Sequence, residues 1–269
     1  MRLAATLAAS GVVLGVWMSP SLADTTVMPT VSELGMNTLV TENTLPQTAI
    51  EVGFSFAQSD ASRTYELGLT SVEYAWGTML GLKVSVPLTI LEPRDDAGPT
   101  VAGIGDVGIL AKSAPIVSRE HLFALGGAVG ITLPTGDESR DLGGTLALAP
   151  GLLAGKAWRI GDRVAVLQAD AFYSWQLNEP ADTDREERFS ANVASLLALA
   201  PRLTAMLELN TARVVEGDPA LRGRWQGYVT PGLSVQPADN WDVRAGVQVP
   251  VTGAREFDYN VIILVTKGF

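Results

Sequence analysis

Residues 241–249 read Trp-Asp-Val-Arg-Ala-Gly-Val-Gln-Val, with Trp241, Val243, Ala245, Val247 and Val249 apolar and Asp242, Arg244 and Gln248 polar. Side chains alternate across a strand, so this stretch predicts a strand with one greasy and one wet face. The same period recurs along the chain. Leu80, Leu82, Val84, Val86 and Leu88 alternate with Lys83 and Ser85; Ile50, Val52, Phe54 and Phe56 alternate with Glu51, Gly53 and Ser55; Ala165 to Trp175 alternate with Gln168, Asp170 and Ser174. About twelve such segments follow one another, near 47–58, 63–76, 78–90, 103–115, 120–133, 144–157, 163–176, 187–199, 202–215, 224–236, 240–250 and 256–269. In 64–76 the apolar parity changes near Ser71, which predicts a bulge or an ambiguous facing there.

The connections alternate as well. Tight links at Trp76-Gly77, Ser118–Glu120, Arg159–Asp162, Ala200-Pro201 and Gln236–Asn240 take turns with longer polar loops at 91–102, 134–143, 177–186 and 215–223. Short turns at one end and long loops at the other are the pattern of an outer-membrane β-barrel. A sheet in lipid must leave no backbone group unpaired and therefore must close. The expected fold is thus all-β: a single transmembrane antiparallel up-and-down β-barrel of about 12 strands, following a cleaved signal peptide. Trp76, Trp158, Trp175, Trp225, Trp241, Tyr74 and Tyr173 stand near strand ends, where interfacial aromatics belong.

Composition agrees. The first 23 residues carry Arg2, an apolar run from Leu3 to Met18, Pro20 and small residues before Ala23-Asp24, which is a secretory signal. Loss of Arg2 takes the formal charge from −10 to −11, and so acidic a chain has no basic stripe for nucleic acid. There is no cysteine, which excludes thiolate metal sites, cysteine nucleophiles and disulfides. No later run of 18 apolar residues exists, yet 47% of residues are hydrophobic and only 18% charged, which is lean for a soluble exported domain. The expected organisation is a signal at 1–23, an N-terminal periplasmic arm or inward-folded plug at 24–46, and an outer-membrane barrel at 47–269.

Candidate chemistry is sparse. Gly103-Ile-Gly-Asp-Val-Gly108 matches GxGxxG, but Ile104 to Lys112 continues as an alternating segment with no helix to receive a pyrophosphate. The glycines are better read as relieving crowding in a tilted strand. His121 is the single histidine and follows a tight periplasmic link, so a Ser-His-acid hydrolase has no placed nucleophile. No catalytic, metal or cofactor residue is expected. If the greasy positions face lipid, Glu51, Lys83, Asp106, Lys112, Asp170, Glu208, Asp242, Arg244 and Asp258 line the lumen, with Asn192, Asn210, Gln226, Tyr228, Gln248 and Asn260. Charges of both signs there either line a water-filled path or plug a narrow interior with ion pairs.

Gly103–Lys112, reading GIGDVGILAK, followed by Leu133-Pro-Thr-Gly-Asp137, resembles the outer-membrane transporter family of the phenol-degradation MetA-pathway type. The acidic GxGD position is Asp106 and the lysine ending that strand is Lys112; Ser113 stands where an aromatic is usual. The resemblance implies a Gram-negative outer-membrane barrel passing small, often hydrophobic or aromatic compounds. The expected function is therefore a channel or facilitator for passive solute passage, with a structural or surface-exposed barrel of plugged lumen as the first alternative and an outer-membrane hydrolase as the last. The acidic loops are expected either to hold divalent cations bridging lipopolysaccharide or to disfavour anionic solutes. The tail 257–269, FDYNVIILVTKGF, places Phe257, Tyr259, Val261, Ile263, Val265 and Phe269 on one lipid-facing stripe, with Asp258, Asn260 and Thr266 opposite. Tyr259, Val261, Ile263, Val265 and Phe269 resemble the C-terminal signal read by the barrel-assembly machinery, and Lys267 is a departure whose stem can snorkel.

Overall fold

The computed structural model describes residues 34–94, 98–140, 142–178 and 185–269. The expected signal peptide and residues 24–33 lie outside the described residues. Fourteen strands make one sheet: β1 (Ala49–Gln58), β2 (Ser62–Trp76), β3 (Leu80–Ser85), β4 (Leu88–Pro93), β5 (Val101–Ile104), β6 (Val107–Ser118), β7 (Phe123–Leu133), β8 (Ala147–Ile160), β9 (Arg163–Gln176), β10 (Glu187–Ala200), β11 (Leu203–Glu216), β12 (Trp225–Val235), β13 (Trp241–Pro250) and β14 (Tyr259–Gly268). Every neighbouring pair is antiparallel, and β1 bonds to both β2 and β14, so the sheet closes on itself.

Twelve staves result, because two of them are broken. β3 and β4 both pair with β2, and their opposite edges pair with β6 and β5. The sequence reads each of these staves as one continuous strand; the structure interrupts them at Val86-Pro87 and Gly105-Asp106, side by side. Proline has no N–H for the ladder, which makes an interior proline a natural break. The Gly105 N–H instead meets the Pro87 carbonyl at 2.9 Å, and a Cβ on Gly105 would lie 3.0 Å from the Pro87 ring.

The parity change in β2 is a bulge. Glu51 pairs with Ser71 while Val52 pairs with Leu69, leaving Thr70 as the extra residue. Before it Leu67 points outward; after it Val72, Tyr74 and Trp76 do, and Ser71 and Glu73 are buried inside. Glu73 thereby becomes a lumen residue, a facing the sequence reading left ambiguous.

Outward positions form the lipid-facing band: Leu152, Leu207, Leu209, Leu233 and Ile263 are 71%, 55%, 48%, 50% and 40% exposed. Aromatic pairs mark both rims, Tyr74–Trp76 at the short-turn end and Tyr173–Trp175 and Phe189–Trp225 at the long-loop end. The short turns use left-handed residues, among them Gly77 and Gly161. Lys267 sits outside with its ammonium 5.4 Å from the Trp241 ring, at the end where Phe269 is exposed. Phe257 departs from the expected stripe: it precedes β14, and its ring stacks on the buried Tyr228 inside the mouth.

The bulge makes an asymmetric prediction. Deleting Thr70 removes the unpaired residue and preserves the facing of both halves of β2, so the barrel should still show a heat-dependent shift in gel mobility. Deleting Leu209 from β11, which pairs with β12 without a bulge, turns either Glu208 or Asn210 toward lipid and should abolish that shift.

Candidate functional site

The lumen is occupied by the chain's own residues 34–48. Thr48 anchors this segment beside the C-terminus, its carbonyl accepting the Phe269 N–H at 3.0 Å and its hydroxyl accepting the Ala75 N–H at 3.1 Å. From there the segment runs inward from the short-turn side. Leu34, Met36, Leu39, Val40 and Leu45 are all buried, against inward-facing Ala114, Ala124, Ala157, Val166, Leu196, Met206, Ile262 and Leu264. This half of the lumen is apolar on its inner face. The expectation that greasy positions face lipid and polar ones face inward therefore fails here: Ile262 and Leu264 share the inward face with Asn260 and Thr266.

Small residues in the wall make the room. Gly232 and Gly246 are register partners, and a Cβ on either would collide with the Leu39 side chain. Gly81 leaves space for Pro46 and Gly155 for Thr44. A bore lined this way admits a polypeptide.

An inserted segment without strand partners must satisfy its backbone through side chains. The wall supplies them. Glu208 accepts the N–H groups of Leu39, Val40 and Thr41 and the Thr41 hydroxyl, at 2.5, 3.1, 2.8 and 2.8 Å. Asp170 accepts the Glu42 N–H at 2.7 Å and the Asn192 amide at 2.8 Å, and Glu73 accepts the Gln47 N–H at 3.0 Å. Gln168 accepts the Thr44 N–H at 3.1 Å and donates to the Met36 carbonyl.

Charge is paired across segment and wall. Glu42 bridges Lys83 and Lys112 at 2.8 and 2.7 Å, and Lys112 also reaches Glu73 at 3.0 Å. Arg244 pairs with Glu51 and with Asp242 at 3.1 Å, and donates to the Thr38 carbonyl. All of these side chains are buried, so each ion depends on its partner rather than on water. A cavity of about 10 Å³ between Met36, Asn37, Thr204 and Asp242 is no larger than a single water.

Seven of the nine expected lumen charges, Glu51, Lys83, Lys112, Asp170, Glu208, Asp242 and Arg244, are thus brought together around the segment. Two are placed otherwise. Asp106 sits in the strand break, its carboxylate accepting the N–H groups of Gly136, Gly144 and Thr145 at 2.9, 2.9 and 2.8 Å. It pins loop 134–146 over the outer mouth, where Leu142 is buried against Gly103 and so joins the GIGD and LPTG stretches physically. Asp258 lies before β14 and pairs with Arg255 at 2.8 Å, partly exposed at the rim. Of the expected amides, Asn192, Asn210, Gln226, Gln248 and Asn260 form a belt above the segment, linked through Asn210 to Asn192, Thr230 and Gln248.

Glu42 and Glu73 were missed. A signal existed: two inward lysines, Lys83 and Lys112, stand on neighbouring staves and need carboxylate partners, and Glu73 is the register partner of Lys83 across β2 and β3. His121 stands exposed in the turn after Ser118, whose hydroxyl accepts its N–H at 3.2 Å. Among the described residues no group of three His, Cys, Asp or Glu side chains is arranged to hold a metal ion.

The family described as "Putative MetA-pathway of phenol degradation" matches residues 43–262. The chain belongs to this family. The match covers the end of the inserted segment from residue 43 and the barrel as far as the first part of β14. A search of curated proteins finds no match. Among solved structures, the COG4313 outer membrane channel from Pseudomonas putida F1 is similar at TM-score 0.61 with 14% identity, over 85% of this chain and 97% of that one. The NanC porin is similar at TM-score 0.53 with 9% identity, over 82% and 98%. The β domain of the Bordetella autotransporter BrkA reaches TM-score 0.50 with 14% identity, over 83% and 100%. At these identities the likeness is one of fold. The family member is an outer-membrane β-barrel of a Gram-negative bacterium with the architecture of channels and porins.

The ion network predicts how the segment is held. Glu42→Gln leaves Lys83 with no remaining carboxylate contact within salt-bridge distance among the described pairs. Breaking such a buried pair costs about 3 kcal/mol, so cleavage within residues 34–48 by an added protease should speed by roughly two orders of magnitude. The gel-mobility shift of the barrel should persist. An unchanged cleavage rate would mean that the apolar contacts alone retain the segment.

Proposed function

We propose that this protein is a channel or facilitator for the passive passage of small solutes, including hydrophobic and aromatic ones, across the outer membrane. The observation that carries this reading is the bore itself. Wall glycines at 81, 155, 232 and 246 leave a passage wide enough for a polypeptide, and residues 34–48, not wall side chains alone, occupy it. A barrel serving only as a surface scaffold could fill so narrow an interior with its own side chains. The lumen combines an apolar inner half with a polar belt of amides above it, a surface suited to amphipathic molecules. Family membership and the channel and porin fold support the same reading.

The reading is not enzymatic; the one histidine stands at the short-turn rim, away from the lumen network. The exposed loop carboxylates Glu138 and Asp218 would meet lipopolysaccharide through divalent cations. Tyr259, Val261, Ile263, Val265 and Phe269, outward along the closing strand, would serve the assembly machinery as its recognition stripe.

Planar-bilayer recording tests the proposal. The mature chain should conduct weakly, and a variant lacking residues 24–46 should conduct severalfold more because its bore is empty. If neither protein, folded by the gel-mobility criterion, carries current or solute above the bare lipid, the channel reading fails and the scaffold reading stands.

A further inference from the structure

We propose that the outer mouth of the lumen is a binding site for small aromatic carboxylic acids, which loop 251–258 fills with its own phenyl ring and carboxylate. The inference rests on the channel reading, since a solute must reach this mouth, and it names the solute class. Three wall residues make the site. Gln226 and Tyr228 share the inward face of β12, and Arg188 opens β10 across from them. The Tyr228 hydroxyl and the Arg188 guanidinium both donate to the Gln226 side-chain oxygen, at 3.2 and 3.4 Å. Tyr228 is 5% exposed and Gln226 fully buried.

The loop meets this trio with two adjacent residues. The Glu256 carboxylate pairs with Arg188, and the Glu256 N–H donates to the Tyr228 hydroxyl at 2.9 Å. The Phe257 ring stacks on the Tyr228 ring with centroids 4.6 Å apart and planes 25° from parallel. Backbone contacts hold the loop inward: Val251 N–H to the Gly227 carbonyl at 2.8 Å, and Gly227 N–H to the Thr252 hydroxyl at 2.8 Å. A benzene ring on Tyr228 and a carboxylate on Arg188 are the two contacts that a free aromatic acid would make.

The wall also offers the amide of Gln226. The Gln226 amide nitrogen is buried without a hydrogen-bond partner among the described residues. A buried donor left unsatisfied is costly, and a carboxylate oxygen or ring hydroxyl of a ligand would satisfy it where the loop does not. The ligand class follows by elimination. A neutral aromatic displacing the loop would cost Arg188 its Glu256 contact without replacing it, and an aliphatic acid would forfeit the ring stack. The tethered loop competes at high effective concentration, so a ligand's apparent affinity is reduced by the small fraction of molecules whose loop is displaced.

Isothermal titration of the detergent-purified mature chain with benzoate, cyclohexanecarboxylate and phenol tests this. The double variant Phe257→Ala, Glu256→Gln should bind benzoate about tenfold or more tighter than the unmodified chain, because the competing groups are gone. In that variant, cyclohexanecarboxylate and phenol should each bind about tenfold or more weaker than benzoate. Adding Arg188→Gln should remove the preference for benzoate over phenol. The proposal is overturned if the double variant keeps its gel-mobility shift and does not bind benzoate, if phenol binds it as tightly, or if the preference survives Arg188→Gln. Conductance of the same preparations separates the two readings: current without benzoate binding retires this inference alone, and benzoate binding without current retires the channel alone.

Discussion

A backbone N–H or C=O in hydrocarbon has no water to turn to, and that constraint shapes this molecule from end to end. It forces twelve staves to close, and closure sets β1 between β2 and β14. The start of β1 and the C-terminus then lie at one rim, where Thr48 meets Phe269. Residues that precede β1 therefore start at the mouth of the lumen. The same rule governs them once inside: a segment with no strand partner borrows acceptors from Glu208, Asp170, Glu73 and Gln168 for its N–H groups.

The lumen solves two packing problems in two ways. Toward the short-turn rim it behaves like the core of a small soluble domain, with five apolar residues of the segment set against alanine, valine, leucine, isoleucine and methionine on the wall. At mid-depth it becomes ionic. Buried ion pairs add little net stability over apolar packing, but a mispaired one is severely penalised, so they specify position. Glu42 between Lys83 and Lys112, and Thr38 on Arg244, fix the depth at which the segment sits. Toward the outer rim two loops close over the lumen, one pinned by Asp106 and one by the Tyr228 and Arg188 contacts.

Much of this was legible in the chain. Period two along 241–249 and its counterparts marked the staves within a few residues, because one face of each meets lipid and selection for apolarity acts on alternate positions. The loop asymmetry marked the two rims. Seven inward charges were legible for the same reason: Glu208 between Leu207 and Leu209 has nowhere to point but in. Where both faces are apolar, as at Ile262 and Leu264, alternation carries no signal and the inner hydrophobic half could not be read. What Asp106 holds could not be read, because its partners Gly136, Gly144 and Thr145 lie in a loop 30 to 39 positions on.

By itself the sequence determined the closed sheet, its strand number, the lipid face and the membrane it belongs to, since each follows from local periodicity and the demand that every backbone group be paired. Whether residues 34–48 hang outside or fill the bore was decided only in three dimensions. That choice depends on partners 26 to 206 positions away, Glu73 for Gln47 and Arg244 for Thr38, that share no pattern with the segment. So was the facing of Glu73, which rests on one extra residue at Thr70, and the inward turn of Phe257, which rests on a ring contact across the mouth. Local alternation sees one strand at a time; the lumen is built where many strands converge.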